Sequence, residues 1–374
     1  MSTLQAVSMP KWGLSMEEGT IVEWRAQIGQ KVSAGDELVD IETQKIVNTV
    51  EAAHEGVLRR IIAQVGDVLR CGRAIAVIGG EDVTESEIDE FLANQVTDAE
   101  EFSEKGVQRH EPEFLDLGDV RIRYFRVGEG GTPVVLLHGF GGDLDNWLFL
   151  QTDLAATNCT IAFDLPGHGG SGKSVEDGTP HALALVILRA LHALGVERAH
   201  IIGHSFGASV AASIAAAEPE RVASLTVIAP AGVGPEINSQ YINGFINAKR
   251  RADLTKAVNL LFADPSVVTS NMVEMLLRAK RLDGAESALR TIAAANFPDE
   301  RQVLPDPIVW SSSADRLLVI WGARDEIIPA AHIDLLPASA TRVLVSEAGH
   351  MPHLERPNEV AAAVRRHISD FEPQ

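Results

Sequence analysis

Residues 203–207 of this chain are Gly203-His204-Ser205-Phe206-Gly207. A short apolar run, 198–202, precedes them, and a run of mostly small residues, 208–217, follows. The first run suits a buried strand and the second a helix, which places the serine on a sharp strand-to-helix turn. The flanking glycines let backbone approach closely, and the helix N-terminus offers N–H donors to a developing oxyanion. The stretch predicts a nucleophile elbow at Ser205; the alternative is a turn of small residues with an incidental serine.

The partners of a nucleophilic serine can be sought downstream. Its hydroxyl needs a base to take the proton and a third group to orient that base. Asp325 and His350 follow Ser205 in the order serine, acid, histidine, and each comes soon after a strand-like run. Because active sites of open α/β sheets lie at the C-terminal strand ends, we expect the three side chains to meet there. Glu326 and His353 are the alternatives, and each requires a register change in its loop.

An oxyanion hole also needs an N–H donor from the loop after an early strand. The loop His138-Gly139-Phe140-Gly141-Gly142 follows the apolar run 134–137 and is rich in glycine. We therefore assign the oxyanion hole to the backbone N–H groups of Phe140 and Phe206. His138 and His204 are expected to shape the site without transferring protons.

Residues 112–374 alternate strand-like and helix-like stretches, the pattern of an α/β fold with a mostly parallel sheet. The strand candidates are 134–137, 160–164, 200–202, 225–228, 317–321 and 342–345. Between about 232 and 301 this alternation stops and apolar residues recur at helical spacing, which predicts a helical cap. Together with the elbow and its loops, this region resembles the α/β-hydrolase superfamily. The resemblance implies acyl chemistry at a serine, but the fold alone does not fix the substrate.

Residues 1–80 contain an internal repeat. A shift of 37 positions places Gly19 on Gly56, and it aligns two further glycine pairs at 29 and 66 and at 35 and 72. Each half alternates apolar and polar residues in short runs with glycine at the turns, as β-strands do. Two such halves predict a small pseudo-symmetric β-sandwich or barrel. Lys45 falls between the halves, at a predicted hairpin tip.

The sequence around Lys45 is Glu42-Thr43-Gln44-Lys45. This arrangement resembles the lipoyl domains, in which a lysine in a Glu-Thr/Ser-x-Lys context carries lipoic acid by an amide bond. The resemblance implies that Lys45 is the attachment site. The related biotin carriers have methionine on both sides of the lysine, where this chain has Gln44 and Ile46. The simpler alternative is a solvated lysine on a β-turn.

Residues 81–111 hold eleven acidic residues against two basic ones. Such a segment cannot bury a core and predicts a flexible acidic linker that could present Lys45 to the second domain. The 374-residue chain has a formal net charge of -20, which disfavours nucleic acid and anionic membranes as partners. Cys71 and Cys159 form no metal or redox motif, and the N-terminus lacks a signal-peptide pattern, so we expect a cytoplasmic protein without a metal.

A lipoyl domain joined to an α/β-hydrolase domain resembles the acyltransferase components of bacterial acetoin dehydrogenase complexes. That resemblance implies an oligomeric multienzyme complex with a thiamine-diphosphate-dependent acetoin dehydrogenase component and dihydrolipoamide dehydrogenase as partners. It also implies that an acetyl group carried on lipoyl-Lys45 passes to coenzyme A. The His-x-x-x-Asp-Gly signature of ordinary acyltransferase domains and a recognisable peripheral-subunit-binding domain are both absent from this sequence. We therefore expect Ser205, His350 and Asp325 to perform the transfer.

Two other functions stay open at this point. The chain could be a thioesterase or carboxylesterase that uses water as acceptor, with the lipoyl domain serving only to localise it. It could also be a carrier or scaffold subunit with an inactive hydrolase fold. No sequence motif for coenzyme A distinguishes these possibilities.

Overall fold

The computed structural model of the chain describes residues 4–10, 18–43, 47–80, 82–89, 91–92 and 111–372. Two compact units make up the chain. The first lies chiefly within residues 1–109 and the second chiefly within residues 110–374.

The described part of the first unit is an all-β sandwich. Its strands are β1 (Gln5–Ser8), β2 (Glu18–Trp24), β3 (Lys31–Val32), β4 (Glu37–Glu42), β5 (Val47–Glu51), β6 (Gly56–Ile61), β7 (Val68–Arg70) and β8 (Ala74–Gly79). They form two four-stranded antiparallel sheets, with the orders β1-β8-β6-β3 and β5-β4-β2-β7. Apolar side chains from both sheets, among them Ile21, Ile41, Leu58 and Ile75, share one buried core.

The internal repeat is visible in this sandwich. The shift of 37 residues carries β4 onto β8, and it carries β2 and β3 onto β6 and β7 with small differences at the ends. Gly29 and Gly66 have φ of 88° and 92°, and Gly35 and Gly72 have φ of 93° and 84°. These left-handed turns favour glycine, which explains why the glycines recur at the same spacing. The predicted pseudo-symmetric β-sandwich is confirmed.

Packing in this unit continues past residue 80, where the sequence predicts that the linker begins. Val83 and Ile88 are buried against Val77, and residues 85–89 are helical. Arg60 forms ion pairs with acidic side chains of the same segment. The acidic residues can therefore face solvent while a few apolar ones pack on the sandwich. Residues 93–110 lie outside the described residues.

The second unit contains an eight-stranded, mainly parallel sheet. Its strands are β9 (Glu113–Asp116), β10 (Arg121–Val127), β11 (Val134–Leu137), β12 (Thr160–Phe163), β13 (Ala199–His204), β14 (Val222–Ile228), β15 (Leu317–Gly322) and β16 (Thr341–Val345). The order is β16-β15-β14-β13-β11-β12-β10-β9. All pairs among β11 to β16 are parallel, and β9 and β10 form the antiparallel edge. The predicted fold class is confirmed, and all six strand candidates are present; the two edge strands were not predicted.

Most helices of this unit connect its strands or belong to the segment between β14 and β15, and the last two follow β16. They are α1 (Leu148–Leu154), α2 (Pro180–Ala193), α3 (Phe206–Ala217), α4 (Ser239–Asn247), α5 (Arg251–Asn259), α6 (Ser270–Lys280), α7 (Ala285–Asn296), α8 (Ile308–Ser311), α9 (Pro352–Glu355) and α10 (Pro357–Ser369). The strands at the centre are buried on both faces and are almost continuously apolar, as parallel strands between helix layers must be. In the described parts of the chain, no helix combines the length and apolar character needed to cross a membrane.

Helices α4 to α7 lie in the segment predicted as a cap. This segment is inserted between β14 and β15, after the strand that follows the elbow helix. Its two ends meet, because Glu236 forms an isolated antiparallel bridge with Arg301 and Gln302 N–H donates to Pro235 O at 2.9 Å. The insertion is thus closed at its base, at the rim of the sheet.

Candidate active site

Ser205 occupies a strained turn between β13 and α3. Its backbone has φ 51° and ψ -118°, which is unusual for a residue with a side chain. Neighbouring backbone holds this conformation: Ser205 N–H donates to Ile228 O at 2.9 Å, and Ala231 N–H donates to Ser205 O at 3.1 Å. A strained serine at a strand-to-helix junction is the geometry that the elbow motif predicts.

The elbow glycines are required by close backbone contacts. A Cβ atom on Gly203 would lie 2.4 Å from Gly207 O, and one on Gly207 would lie 2.2 Å from Leu137 O. A Cβ atom on Gly139 would lie 3.0 Å from Ser205 Cβ. The glycine-rich loop after β11 therefore packs directly against the elbow, and no side chain fits between them.

His350 and Asp325 are joined by a hydrogen bond. His350 Nδ1 lies 2.8 Å from Asp325 Oδ2, and both side chains are almost fully buried. A carboxylate only accepts hydrogen bonds, so Nδ1 carries the proton and Nε2 is the basic nitrogen. No described residue makes a hydrogen bond with His350 Nε2. This nitrogen is free to accept a proton from a nucleophile.

The carboxylate of Asp325 is surrounded by donors. Its Oδ1 accepts from the N–H groups of Ile327 at 2.8 Å and Ile328 at 3.0 Å, and its Oδ2 also accepts from Trp321 Nε1 at 3.0 Å. Glu326, the alternative acid, is exposed. The structure thus pairs Asp325, and not Glu326, with the histidine.

The histidine loop also contacts the elbow. His204 Nε2–H donates to His350 O at 2.8 Å, and the two rings lie 4.9 Å apart. Burial, with a contribution from neighbouring histidines, holds the pKa of His204 well below its ordinary value. His204 directly precedes Ser205, so its hydrogen bond links the elbow to the backbone of His350.

His353, the alternative base, is not placed for that role. Its ring packs between Trp147 and His204, with centroids 4.8 Å and 4.7 Å away. Neither ring nitrogen has a hydrogen-bond partner among the described residues, and burial lowers the pKa of His353 to about 3. No carboxylate of the described residues orients His353, and its ring contributes packing contacts between Trp147 and His204.

The two N–H groups assigned to the oxyanion hole are unoccupied by other acceptors. Phe206 is the first residue of α3, so its N–H has no partner within the helix. Within the described chain, neither the Phe206 N–H nor the Phe140 N–H donates a hydrogen bond. Phe140 directly follows Gly139, which touches Ser205. Both groups are thus available near the elbow.

Cap residues hold the loops of the site at several points. Tyr241 Oη of α4 donates to Phe140 O at 2.9 Å, and the N–H of His350 donates to Leu261 O at 2.8 Å. The half-buried Glu355 accepts from Gly349 N–H at 2.8 Å and from Ala263 N–H at 2.7 Å. Burial raises the pKa of Glu355.

Sequence reasoning did not identify Trp321, Tyr241 or Glu355. Tyr241 and Phe140 are about a hundred positions apart, and no local pattern links them. Trp321 ends the strand-like run that precedes Asp325 in the sequence. Its position four residues before Asp325 was the one signal that the two side chains could be close together.

Lys45 lies outside the described residues, as do Gln44 and Ile46. The strands on either side are described: β4 and β5 are antiparallel, and Glu42 is opposite Val47 at the end of the pair. Among the described residues, no group of three or more histidine, cysteine, aspartate or glutamate residues could hold a metal ion.

Comparison with known proteins finds a separate family match within each of the two units. Residues 5–78 match the family of biotin-requiring enzymes, and residues 132–357 match the α/β hydrolase fold family. A dihydrolipoyllysine-residue acetyltransferase component of the acetoin cleaving system from Cupriavidus necator is 40% identical over 366 residues, covering 98% of each chain. The protein of the same name from Pseudomonas putida is 43% identical and covers 98% of this chain and 100% of its own.

The chain belongs to this family of acetyltransferase components. Several solved structures have a fold similar to that of the second unit. A meta-cleavage product hydrolase from Pseudomonas fluorescens is 21% identical and has a TM-score of 0.63, covering 69% of this chain and 97% of its own. A bacterial membrane phospholipase A is 24% identical, has a TM-score of 0.62, and covers 76% and 94%. These likenesses concern the fold alone.

Proposed function

We propose that this chain is the acetyltransferase component of an acetoin-cleaving multienzyme complex. It carries an acetyl group on lipoyl-Lys45 and transfers that group to coenzyme A, with Ser205, His350 and Asp325 as the triad. The observation that carries this proposal is the identity of 40–43% with two relatives of that name along almost the whole chain. In each relative, a single alignment therefore covers both units of this chain.

The proposed division of labour follows the domains. Residues 1–80 form the lipoyl domain, 81–111 the acidic linker, and 112–374 the hydrolase-like domain with a cap at about 232–301. The hairpin of β4 and β5, whose connection carries Lys45, suits covalent attachment of lipoic acid. In its reduced form, lipoic acid bound to Lys45 would supply a dithiol, one thiol of which could hold the acetyl group as a thioester.

The second domain would perform two acyl transfers at one serine. Ser205 Oγ attacks the thioester carbonyl while His350 Nε2 takes its proton, and the proton passes to the departing thiol. This step breaks the C–S bond and forms an ester on Ser205. The coenzyme A thiol then attacks that ester, with His350 again taking the proton and returning it to Ser205. The Phe140 and Phe206 N–H groups would stabilise both oxyanions.

Asp325 would serve as the orienting group. Its hydrogen bond holds His350 in the tautomer with a basic Nε2, and its negative charge stabilises the imidazolium formed during each attack. The buried surroundings strengthen this interaction because water does not screen it.

The partners follow from the same proposal. A thiamine-diphosphate-dependent acetoin dehydrogenase component would load the acetyl group, and dihydrolipoamide dehydrogenase would reoxidise the dithiol. Cys71 and Cys159, both in the described part of the chain, form no disulfide, which suits the reducing cytoplasm.

The acceptor is tested by a partition experiment. Full-length chain carrying acetylated lipoyl groups is mixed with coenzyme A in water, and acetyl-CoA and acetate are both quantified. We expect acetyl-CoA to be the main product. Acetate as the main product would instead identify a thioesterase, and the absence of both would identify a carrier subunit with an inactive second domain.

The carrier role is tested separately. Intact-mass analysis of chain produced with lipoate and a lipoyl ligase is expected to show one lipoyl group, which Lys45→Arg removes. An unmodified wild-type mass under these conditions would exclude Lys45 as the carrier.

A further inference from the structure

A cavity of about 440 Å³ lies alongside the elbow helix α3. Its walls come from α3, the start of α2, the end of α7 and residues 303–309. Most of the lining is apolar, as in Phe297, Pro305 and Val309. The proposed catalytic steps do not use this space.

The α3 residues that line the cavity run from buried to exposed, so the cavity opens to the surface at the end of α3, and we call it a channel. Phe206, Ser209 and Ser213 are 1%, 5% and 8% exposed, Ala216 is half-buried and Ala217 is exposed. With a rise of about 1.5 Å per residue, the helix from Phe206 to Ala217 is about 16 Å long. The channel thus leads from the surface towards the residue that follows the nucleophile.

The inner end of the channel adjoins Ser205 through the backbone. Phe206 and Ala231 both line it, and Ala231 N–H donates to Ser205 O at 3.1 Å. Phe206 also carries one of the N–H groups assigned to the oxyanion hole. A ligand that fills the channel would therefore contact Phe206, the residue that follows Ser205.

One polar side chain in the wall, Asn296, has an oxygen that accepts no hydrogen bond from the described residues. The Nδ2 atom of Asn296 donates to Gly178 O and Ile292 O, both at 2.8 Å, which fixes the orientation of the amide. Asn296 is 8% exposed, and its Oδ1 accepts no hydrogen bond from the described residues. Asn296 lines the cavity, and its Oδ1 is not fully buried, so this oxygen is available to accept from an N–H or O–H group of a ligand.

Size and polarity define the ligand class. The volume of about 440 Å³ lies within the range of small-molecule binding sites and is far more than an acetyl group needs. A long apolar channel with one fixed acceptor suits an aliphatic arm with an amide N–H. Both thiols of the proposed reaction, lipoyl-lysine and coenzyme A with its pantetheine arm, have this chemistry.

We propose that this channel binds the aliphatic, amide-bearing arm of a thiol substrate, with Asn296 Oδ1 accepting a hydrogen bond from its amide N–H. The proposal rests on the proposed acetyl transfer, because that reaction supplies thiols of this kind. It places that arm beside α3, with one end at Phe206, the residue that follows Ser205.

The test narrows the channel without touching Asn296. Ser213→Leu adds bulk at mid-channel, and Ala217→Phe blocks the exposed outer end, where extra volume cannot disturb the core. Ser287→Leu, exposed on α7 outside the cavity, is the matched control. For each full-length variant, KM is measured for acetyl-dihydrolipoamide, coenzyme A and cysteamine, which lacks the amide-bearing arm. Equilibrium dissociation constants are measured for dihydrolipoamide and coenzyme A.

Both channel variants are expected to raise KM and the dissociation constant of one arm-bearing thiol at least tenfold, while cysteamine and the control variant show no change. A rise confined to coenzyme A identifies the pantetheine arm, and one confined to dihydrolipoamide identifies the lipoyl arm. Unchanged constants for both thiols overturn the channel proposal while leaving acetyl transfer intact. If the wild-type chain forms no acetyl-CoA, the proposed function fails, and the dissociation constants still decide the channel.

Discussion

At the scale of single residues, the buried carboxylate of Asp325 organises the site. It receives hydrogen bonds from two backbone N–H groups, from His350 and from Trp321. A carboxylate with this many donors is held in one orientation, and so is the imidazole attached to it. We therefore expect Trp321 to act as a positioning residue for Asp325.

Replacing Trp321 by Phe is expected to lower kcat roughly tenfold to a hundredfold, since a hydrogen bond to a charged group contributes about 1.5–3 kcal/mol. KM for coenzyme A should not change, because Trp321 is not expected to touch that substrate. Trp147→Phe is the matched control: Trp147 is equally buried, but its Nε1 donates to no described residue. Equal kcat values for the two variants would refute the positioning role.

The sequence predicted the motif residues of the site but not the residues that form hydrogen bonds to them or to their loops. Ser205 and His350 stand in strong local patterns, and Asp325 follows its strand closely. Asp325 and Glu326 are adjacent in the sequence, so a shift of one residue in the loop would exchange them. Which of the two side chains points towards His350 is known only from the folded structure. Trp321 and Tyr241 are bound to the site by contacts that exist only after folding.

At the scale of elements, the cap is hydrogen-bonded to three separate loops of the site. Tyr241 reaches the loop of Phe140, Leu261 and Ala263 reach the histidine loop, and Asn238 N–H donates to Ile327 O beside Asp325 at 2.8 Å. Because these bonds come from both ends of the cap's first half, displacing the cap would disturb several loops together.

Tyr241→Phe is expected to lower kcat about tenfold and the free energy of unfolding by about 1–2 kcal/mol, because Phe140 O is left buried without a donor. Tyr124→Phe is the control, since its hydroxyl bonds to Glu113 at the sheet edge. Transfer kinetics and urea unfolding measure both effects. A Tyr241→Phe variant with wild-type kcat would show that the cap does not position the oxyanion loop.

At the scale of the whole molecule, the second unit buries histidines in their neutral form. Burial lowers the pKa of His138 to about 4 and the pKa values of His168 and His353 to about 3. In the unfolded chain these groups bind protons near pH 6.5, so between pH 6.5 and 4 the unfolded state holds more protons. Stability is therefore full above pH 6.5 and falls as the pH decreases through this window.

His353→Leu is expected to reduce that pH dependence. The buried neutral His353 accounts for a loss of about 2 kcal/mol between pH 7.5 and pH 5, and the variant lacks this group. Urea unfolding of the second unit at several pH values measures the slope, with His192→Gln, exposed on α2, as the control. Identical slopes for His353→Leu and the wild type would contradict the assignment.

The two-unit architecture could be predicted from the sequence because it depends on periodic signals. Repeated glycines marked the turns of the sandwich, and apolar runs marked the central strands. Strands β9 and β10 were missed, although Ile122 and Tyr124 alternate with polar residues in β10. The channel beside α3 was beyond prediction, because four distant segments form its walls.

The central claim is that Ser205 takes the acetyl group and passes it to coenzyme A. Its most direct test is rapid quenching of the full chain after mixing with acetyl-dihydrolipoamide and no acceptor, followed by mass analysis of the peptide that contains residues 203–207. We predict acetylated Ser205, which disappears as an equal amount of acetyl-CoA forms when coenzyme A is added. Formation of acetyl-CoA at the wild-type rate by Ser205→Ala would contradict the account.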